Sequence, residues 1–113
     1  MGITQERGKR GEDFAASFLL KNGFRIVERN VRTPFGEIDL VCNDATTTVF
    51  VEVKYRASTA FGQPEEVVVG KKLMRMRHAA EWYVTQHKLQ GAYRLDVVGI
   101  TGDPPRCTHL VDV

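Results

Sequence analysis

The stretch Gly36-Glu37-Ile38-Asp39-Leu40-Val41-Cys42-Asn43-Asp44-Ala45-Thr46-Thr47-Thr48-Val49-Phe50-Val51-Glu52-Val53-Lys54-Tyr55 decides how this chain folds. Two runs of strand-forming residues, 36–42 and 48–55, flank a polar segment. The second run alternates: Val49, Val51 and Val53 share one face, and Phe50, Glu52 and Lys54 share the other. The pattern predicts a β-hairpin. Closing it through a four-residue loop, Asp44 to Thr47, pairs Asn43 with Thr48 and Cys42 with Val49. Further down the ladder, Asp39 falls opposite Glu52 and Lys54 opposite Glu37. Directly opposed residues share a face, with Cβ atoms about 4.5–5.5 Å apart. A loop one residue longer or shorter would put Asp39 and Glu52 on opposite faces.

Two carboxylates and an amine therefore interrupt apolar strands, where an uncompensated charge is costly. Facing carboxylates can chelate one hard divalent cation. Mg²⁺ takes one or two carboxylates, keeps several waters and binds phosphate oxygens. A metal so placed acidifies a water and offsets charge on a phosphoryl group. The Lys54 ammonium can hold the attacking water or neutralise developing charge. Asp39, Glu52 and Lys54 around Mg²⁺ or Mn²⁺ thus suit phosphodiester hydrolysis. The competing account is a structural ion pair of Lys54 with Glu37, Asp39 or Glu52. A cluster of perturbed titratable groups favours a functional site over that account.

The chain has 113 residues, enough for one domain, 1–113, with a single core. Its hydrophobic content of 42% and charged content of 27% are those of a folded globular protein, not a disordered one. No apolar run is long enough to span a bilayer. Residues Met1 to Arg7 lack the apolar core of a signal peptide. Cys42 and Cys107 are too few and too far apart for a disulfide framework or a zinc site, so a cytoplasmic protein is expected. The net charge of +2 is compatible with nucleic acid without arguing for it.

Elsewhere the periodicity predicts a helix over Thr4 to Asn22, with Phe14, Ala15, Phe18 and Leu19 as its apolar stripe and Gly23 at its end. A strand follows over Phe24 to Arg32, then a turn over Thr33-Pro34-Phe35-Gly36. After the hairpin comes a loop to Pro64, and then a helix from about Glu65 or Lys71 to His87. Leu73, Met76, Ala80, Tyr83 and Val84 mark its buried face, and Lys71, Arg75, His78 and Trp82 the opposite one. Strands over Tyr93–Thr101 and Cys107–Val113 complete the order α-β-β-β-α-β-β. The second helix is long enough to return the chain for a parallel fourth strand. The fold class is α/β, a mixed sheet flanked by helices. Asp96, between Leu95 and Val97, reads as structural, paired with Arg94 or Arg29.

Several quoted residues together resemble a known family: Gly11-Glu12 on the first helix, Arg29-Asn30-Val31-Arg32, Gly36-Glu37-Ile38-Asp39-Leu40-Val41, and Val49-Phe50-Val51-Glu52-Val53-Lys54-Tyr55-Arg56. The chain resembles the YraN-type family of small bacterial proteins. Through it the chain resembles the restriction-endonuclease-like, PD-(D/E)xK superfamily and is similar to archaeal Holliday junction resolvases. The resemblance implies a restriction-endonuclease-like sheet and a metal-dependent nuclease acting on DNA, including branched or recombination intermediates. It places the motif's acids on Asp39 and Glu52, its lysine on Lys54 and a helix glutamate on Glu12. Glu12, Asp39 and Glu52 would then hold Mg²⁺ or Mn²⁺. Ile38 stands where the motif's proline would. The resemblance also implies a homodimer. Fold likeness gives chemistry by analogy. The rivals are a catalytically silent nucleic-acid-binding or assembly module on the same fold, and an enzyme acting on RNA.

Glu12 borders the apolar stripe of the first helix, so its carboxylate can point over the sheet, or it can simply favour the helix N-terminus. Arg7, Lys9, Arg10 and Arg56 lie near the site along the chain, and Lys71 and Arg75 share a helix face. Such cations would position phosphates without reading sequence. Gln63, in the loop after Lys54, is a further candidate contact. Solvated surface charge is the ordinary alternative for each of them.

Overall fold

The computed structural model describes the backbone of residues 3–56 and 70–113, and the side chains of residues 10–55 and 70–113. The order is α1 (Ile3–Lys21), β1 (Arg25–Thr33), β2 (Gly36–Asp44), β3 (Thr47–Arg56), α2 (Gly70–Gln86), β4 (Tyr93–Thr101) and β5 (Arg106–Leu110). The strands form one five-stranded sheet, β1-β2-β3-β4-β5. Neighbours are antiparallel except β3 and β4, which run parallel. The expected α-β-β-β-α-β-β layout with a parallel fourth strand is the observed one. Among the described residues no helix is long and apolar enough to cross a membrane.

The alternation of β3 builds a core on each face of the sheet. Val49 and Val51 pack with Leu40, Cys42, Val98 and Ile100 beneath Ala15 and Leu19 of α1. Phe50 packs with Val41 and Leu95 against Ala79, Ala80 and Tyr83 of α2. Full burial of each Val, Leu or Phe side chain contributes about 1.5–3 kcal/mol, so the two faces together can hold both helices. The α1 stripe differs from expectation at two positions: Phe14 is exposed and Ala16 is buried. Trp82, expected on the outer face of α2, is half-buried and packs against that helix's core.

The β2–β3 register is the predicted one: Cys42 pairs with Val49 and Asn43 with Thr48. Its turn is tighter. Asp44 also pairs with Thr47, leaving only Ala45 and Thr46 in the loop, with Ala45 at φ 54°. Removing one residue from each side of the loop preserves parity, so the side-chain faces do not change.

Asp96 is fully buried, and its carboxylate is surrounded by donors. Arg94 Nε lies 3.0 Å away, His109 Nε2 2.8 Å, and the backbone N–H of Asp112 donates at 2.9 Å. Arg94, not Arg29, is its arginine. Arg94 also reaches Asp44 at 3.3 Å, which ties the hairpin to β4. This is a satisfied structural network of the kind that buried charges require.

Candidate metal centre and cleft

The β2–β3 ladder runs from the turn to Leu40–Val51 and records no pair beyond it. β3 continues through Arg56, paired with β4. At Asp39, therefore, β2 leaves β3. The backbone N–H of Val53 donates instead to Asp39 Oδ2 at 2.8 Å. On the other side of β2, Arg29 pairs with Leu40 and Val31 with Ile38, while Asn30, between them, takes the left-handed φ of 54°. Asparagine tolerates that conformation better than most residues. Both strands are thus irregular at Asp39, and the sheet opens there. The expected positions of Asp39 opposite Glu52 and Lys54 opposite Glu37 follow the register but lie beyond the ladder.

Four carboxylates converge at this fork. α1 comes close to β3, where buried Gly11 lies over Tyr55: a Cβ there would sit 3.5 Å from Tyr55 Cβ. That approach brings in Glu12, the next residue. One carboxylate oxygen from each of Glu12, Glu37 and Asp39 lies within 4.8 Å of the others. Glu52 lies near enough to Asp39 for its charge to raise the Asp39 carboxyl. Burial, then the charge of Glu52, pushes the Asp39 carboxyl up to about 8, against the opposing pull of the Val53 N–H. Burial raises the Glu12 carboxyl as well, while an Asn30 hydrogen bond and the Arg29 charge pull it down. Arg29 also binds Asp13 at 2.6 Å.

Glu52 is held differently. Lys54 Nζ and Lys72 Nζ each lie 3.1 Å from the same oxygen, Glu52 Oε1. The expected metal set was Glu12, Asp39 and Glu52. The structure groups Glu12 and Asp39 with Glu37, and gives Glu52 to two lysines. Glu37, Asn30 and Lys72 are the site residues that the sequence reading left out. Glu37 and Asn30 stood inside the quoted motifs. Lys72 carried only the general signal of a basic residue on a helix.

Where β2 departs, a cleft of about 290 Å³ opens beneath α2. Glu37, Asp39 and Glu52 line one side, Lys72 and Arg75 another, and Ile38, Phe50, Val51, Met76, Ala79 and Leu95 supply apolar surface. Arg75, read from the sequence as a candidate phosphate contact, lines this cleft. Lys71 does not line this cleft; its neighbour Lys72, three residues before Arg75, does so instead. Arg10 is exposed on α1. Gln63 lies outside the described residues, as do the side chains of Arg7, Lys9 and Arg56.

Fold and cleft define a small α/β domain with a carboxylate–lysine site at a fork in its sheet. Residues 11–100 match the model of the uncharacterised protein family UPF0102, a span that contains Glu12, Glu37, Asp39, Glu52, Lys54, Lys72 and Arg75. The chain is 43% identical over 108 residues to a UPF0102 protein of Cytophaga hutchinsonii, covering 96% of this chain and 95% of that one. It is 48% identical over 109 residues to one of Anaeromyxobacter dehalogenans, covering 94% and 81%. A third, from Persephonella marina, is 40% identical over 98 residues, covering 86% and 84%. The chain belongs to the UPF0102 family, the YraN-type family that its motifs resemble.

Proposed function

We propose that this protein is a metal-dependent nuclease that hydrolyses phosphodiester bonds in DNA, including branched or recombination intermediates. One observation carries the reading: three carboxylate oxygens from α1 and β2 lie within 4.8 Å of one another, beside a glutamate that bears two lysines. An all-oxygen donor set of this kind fits a hard cation, Mg²⁺ or Mn²⁺. The raised Asp39 carboxyl agrees with that fit, because carboxylates crowded without a cation retain a proton.

Glu12, Glu37 and Asp39 would hold the ion, with Glu52 beside Asp39 and outside that group. When bound, the cation supplies positive charge against the phosphate and lowers the pKa of a water. Lys54, on β3 beside Glu52, is placed to orient the attacking water and to offset charge as the phosphate is attacked. Glu52 fixes the Lys54 ammonium. Lys72, in contact with Glu52, and Arg75 line the cleft from α2 and suit the flanking phosphates. Likeness to the PD-(D/E)xK superfamily supports the same chemistry by analogy, and a homodimer in the cytoplasm belongs to the same proposal.

The test is cleavage of a labelled four-way junction, with linear duplex as control, in Mg²⁺, Mn²⁺ or EDTA. Wild-type protein should cut only with metal, and Asp39→Ala should not cut. Junction binding without cleavage under every metal would replace this reading with that of a binding module.

A further inference from the structure

The acidic cleft does not end at Arg75. Phe35 lines it and also lines a second hollow of about 290 Å³, whose other walls include His78 and Trp82 of α2. Phe35 is held firmly. In its turn, Thr33 Oγ1 donates to Gly36 O at 2.6 Å and accepts the Phe35 N–H at 3.0 Å. Gly36 takes φ 128°, which glycine allows without strain. The ring is 44% exposed and tilted against His78, 5.4 Å between centroids. Among the described residues Arg75 makes no ion pair, so its charge is open to a ligand.

An exposed aromatic ring on a hydrogen-bonded turn thus stands between two hollows, with Lys72 and Arg75 at one end and Trp82 at the other. Cations that follow a backbone, interleaved with aromatic faces, are what a single polynucleotide strand requires. A paired duplex offers no free base face to such a ring. Glu81, in the lining of the second hollow, would keep phosphates toward the Lys72–Arg75 end.

We propose that this face of α2 is a track for single-stranded DNA, leading unpaired nucleotides to the carboxylate fork. Phe35 stacks on one base, Lys72 and Arg75 contact the phosphates before it, and Trp82 lies beside the next base. The choice of DNA rests on the nuclease reading. The track would select substrates with unpaired segments over uniform duplex.

The test is binding in EDTA, which does not pass through the metal site. A short labelled oligo(dT), a blunt duplex of equal length and the matching oligo(U) serve as probes. The wild-type protein should prefer oligo(dT), and binding should quench Trp82, the chain's single tryptophan. Phe35→Ala should weaken oligo(dT) binding about 5- to 150-fold, the range of one base–aromatic stack at 1.4 kcal/mol per tenfold, and leave duplex binding unchanged. Phe35→Tyr should keep the affinity, which separates a lost stack from a damaged turn. Equal affinity of wild type and Phe35→Ala for oligo(dT), preference for duplex or oligo(U), or no binding to any probe would overturn the track. Metal-dependent cleavage that ignores Phe35→Ala would remove the track and leave the nuclease. Binding through Phe35 with no cleavage under any metal would remove the nuclease and leave the track.

Discussion

The backbone N–H of Val53 is satisfied by the Asp39 side chain at 2.8 Å, in a sheet where the next strand would ordinarily satisfy it. Asp39 is therefore both a structural cap and the most crowded carboxyl of the site.

This double role makes stability depend on pH. Asp39 has its folded pKa raised to about 8 from an ordinary 3.8. Above the lower value the unfolded chain releases this proton and the folded chain keeps it, so metal-free protein should lose stability as pH rises from about 4 toward 8. Asp39→Asn keeps an acceptor for Val53 and removes the titration. Its melting temperature should be flatter over that range and exceed that of wild type near pH 8. Thermal melts in EDTA at several pH values check this, and Mn²⁺ should reverse the wild-type decline.

Glu37 and Glu12 make a separate claim about which acids matter. Glu37→Gln and Glu12→Gln should each lower Mn²⁺ affinity at least about tenfold, the smaller end of what even outer contacts of a metal site produce. Titration of free Mn²⁺ followed by paramagnetic resonance reads this without any substrate. Equal affinity in Glu37→Gln would return the third ligand position to Glu52.

The two lysines on Glu52 should separate in kinetics. Lys54→Ala should reduce the cleavage rate about 10²- to 10³-fold, the scale of a lost transition-state donor. Lys72→Ala should act mainly on KM, because it faces the cleft from α2 and suits a flanking phosphate. Single-turnover cleavage over a range of DNA concentrations distinguishes the two.

Away from the site, Asp96→Ala should cost at least about 1–3 kcal/mol, since it removes the acceptor that Arg94, His109 and the Asp112 N–H share, while Arg94 keeps Asp44. Chemical denaturation measures it. Cys42 should resist alkylation in the native state, because burial, and then the Asp96 charge, pushes its thiol up to about 12.

The layout was legible because β3 alternates cleanly and turn residues punctuate the chain. The register was legible through parity, which the shorter Ala45-Thr46 turn left intact. Asp39, Glu52 and Lys54 stood out because charge is rare in such strands. Glu37 did not, since a residue at the start of a strand next to a turn looks like ordinary surface. Nothing local marks Asn30, whose left-handed backbone answers to the bend of the strand beside it. Lys72 was hidden for another reason: Lys71, Lys72 and Arg75 look alike until the rotation of α2 about its axis is known. Trp82, expected off the apolar stripe, is the partly covered residue its position suggests, with its covered side on the core of α2.

The proton that Asp39 retains bears on the order of assembly. With Asp39 protonated the fork carries one negative charge fewer, while Lys54 and Lys72 lie on Glu52 and Arg29 stands 4.0 Å from Glu12. A cleft lined by Glu37, Asp39 and Glu52 can then admit a polyanion before any metal arrives, the proton serving as placeholder. On the nuclease reading, metal and DNA would load in either sequence, and the kinetics would be random rather than compulsorily ordered.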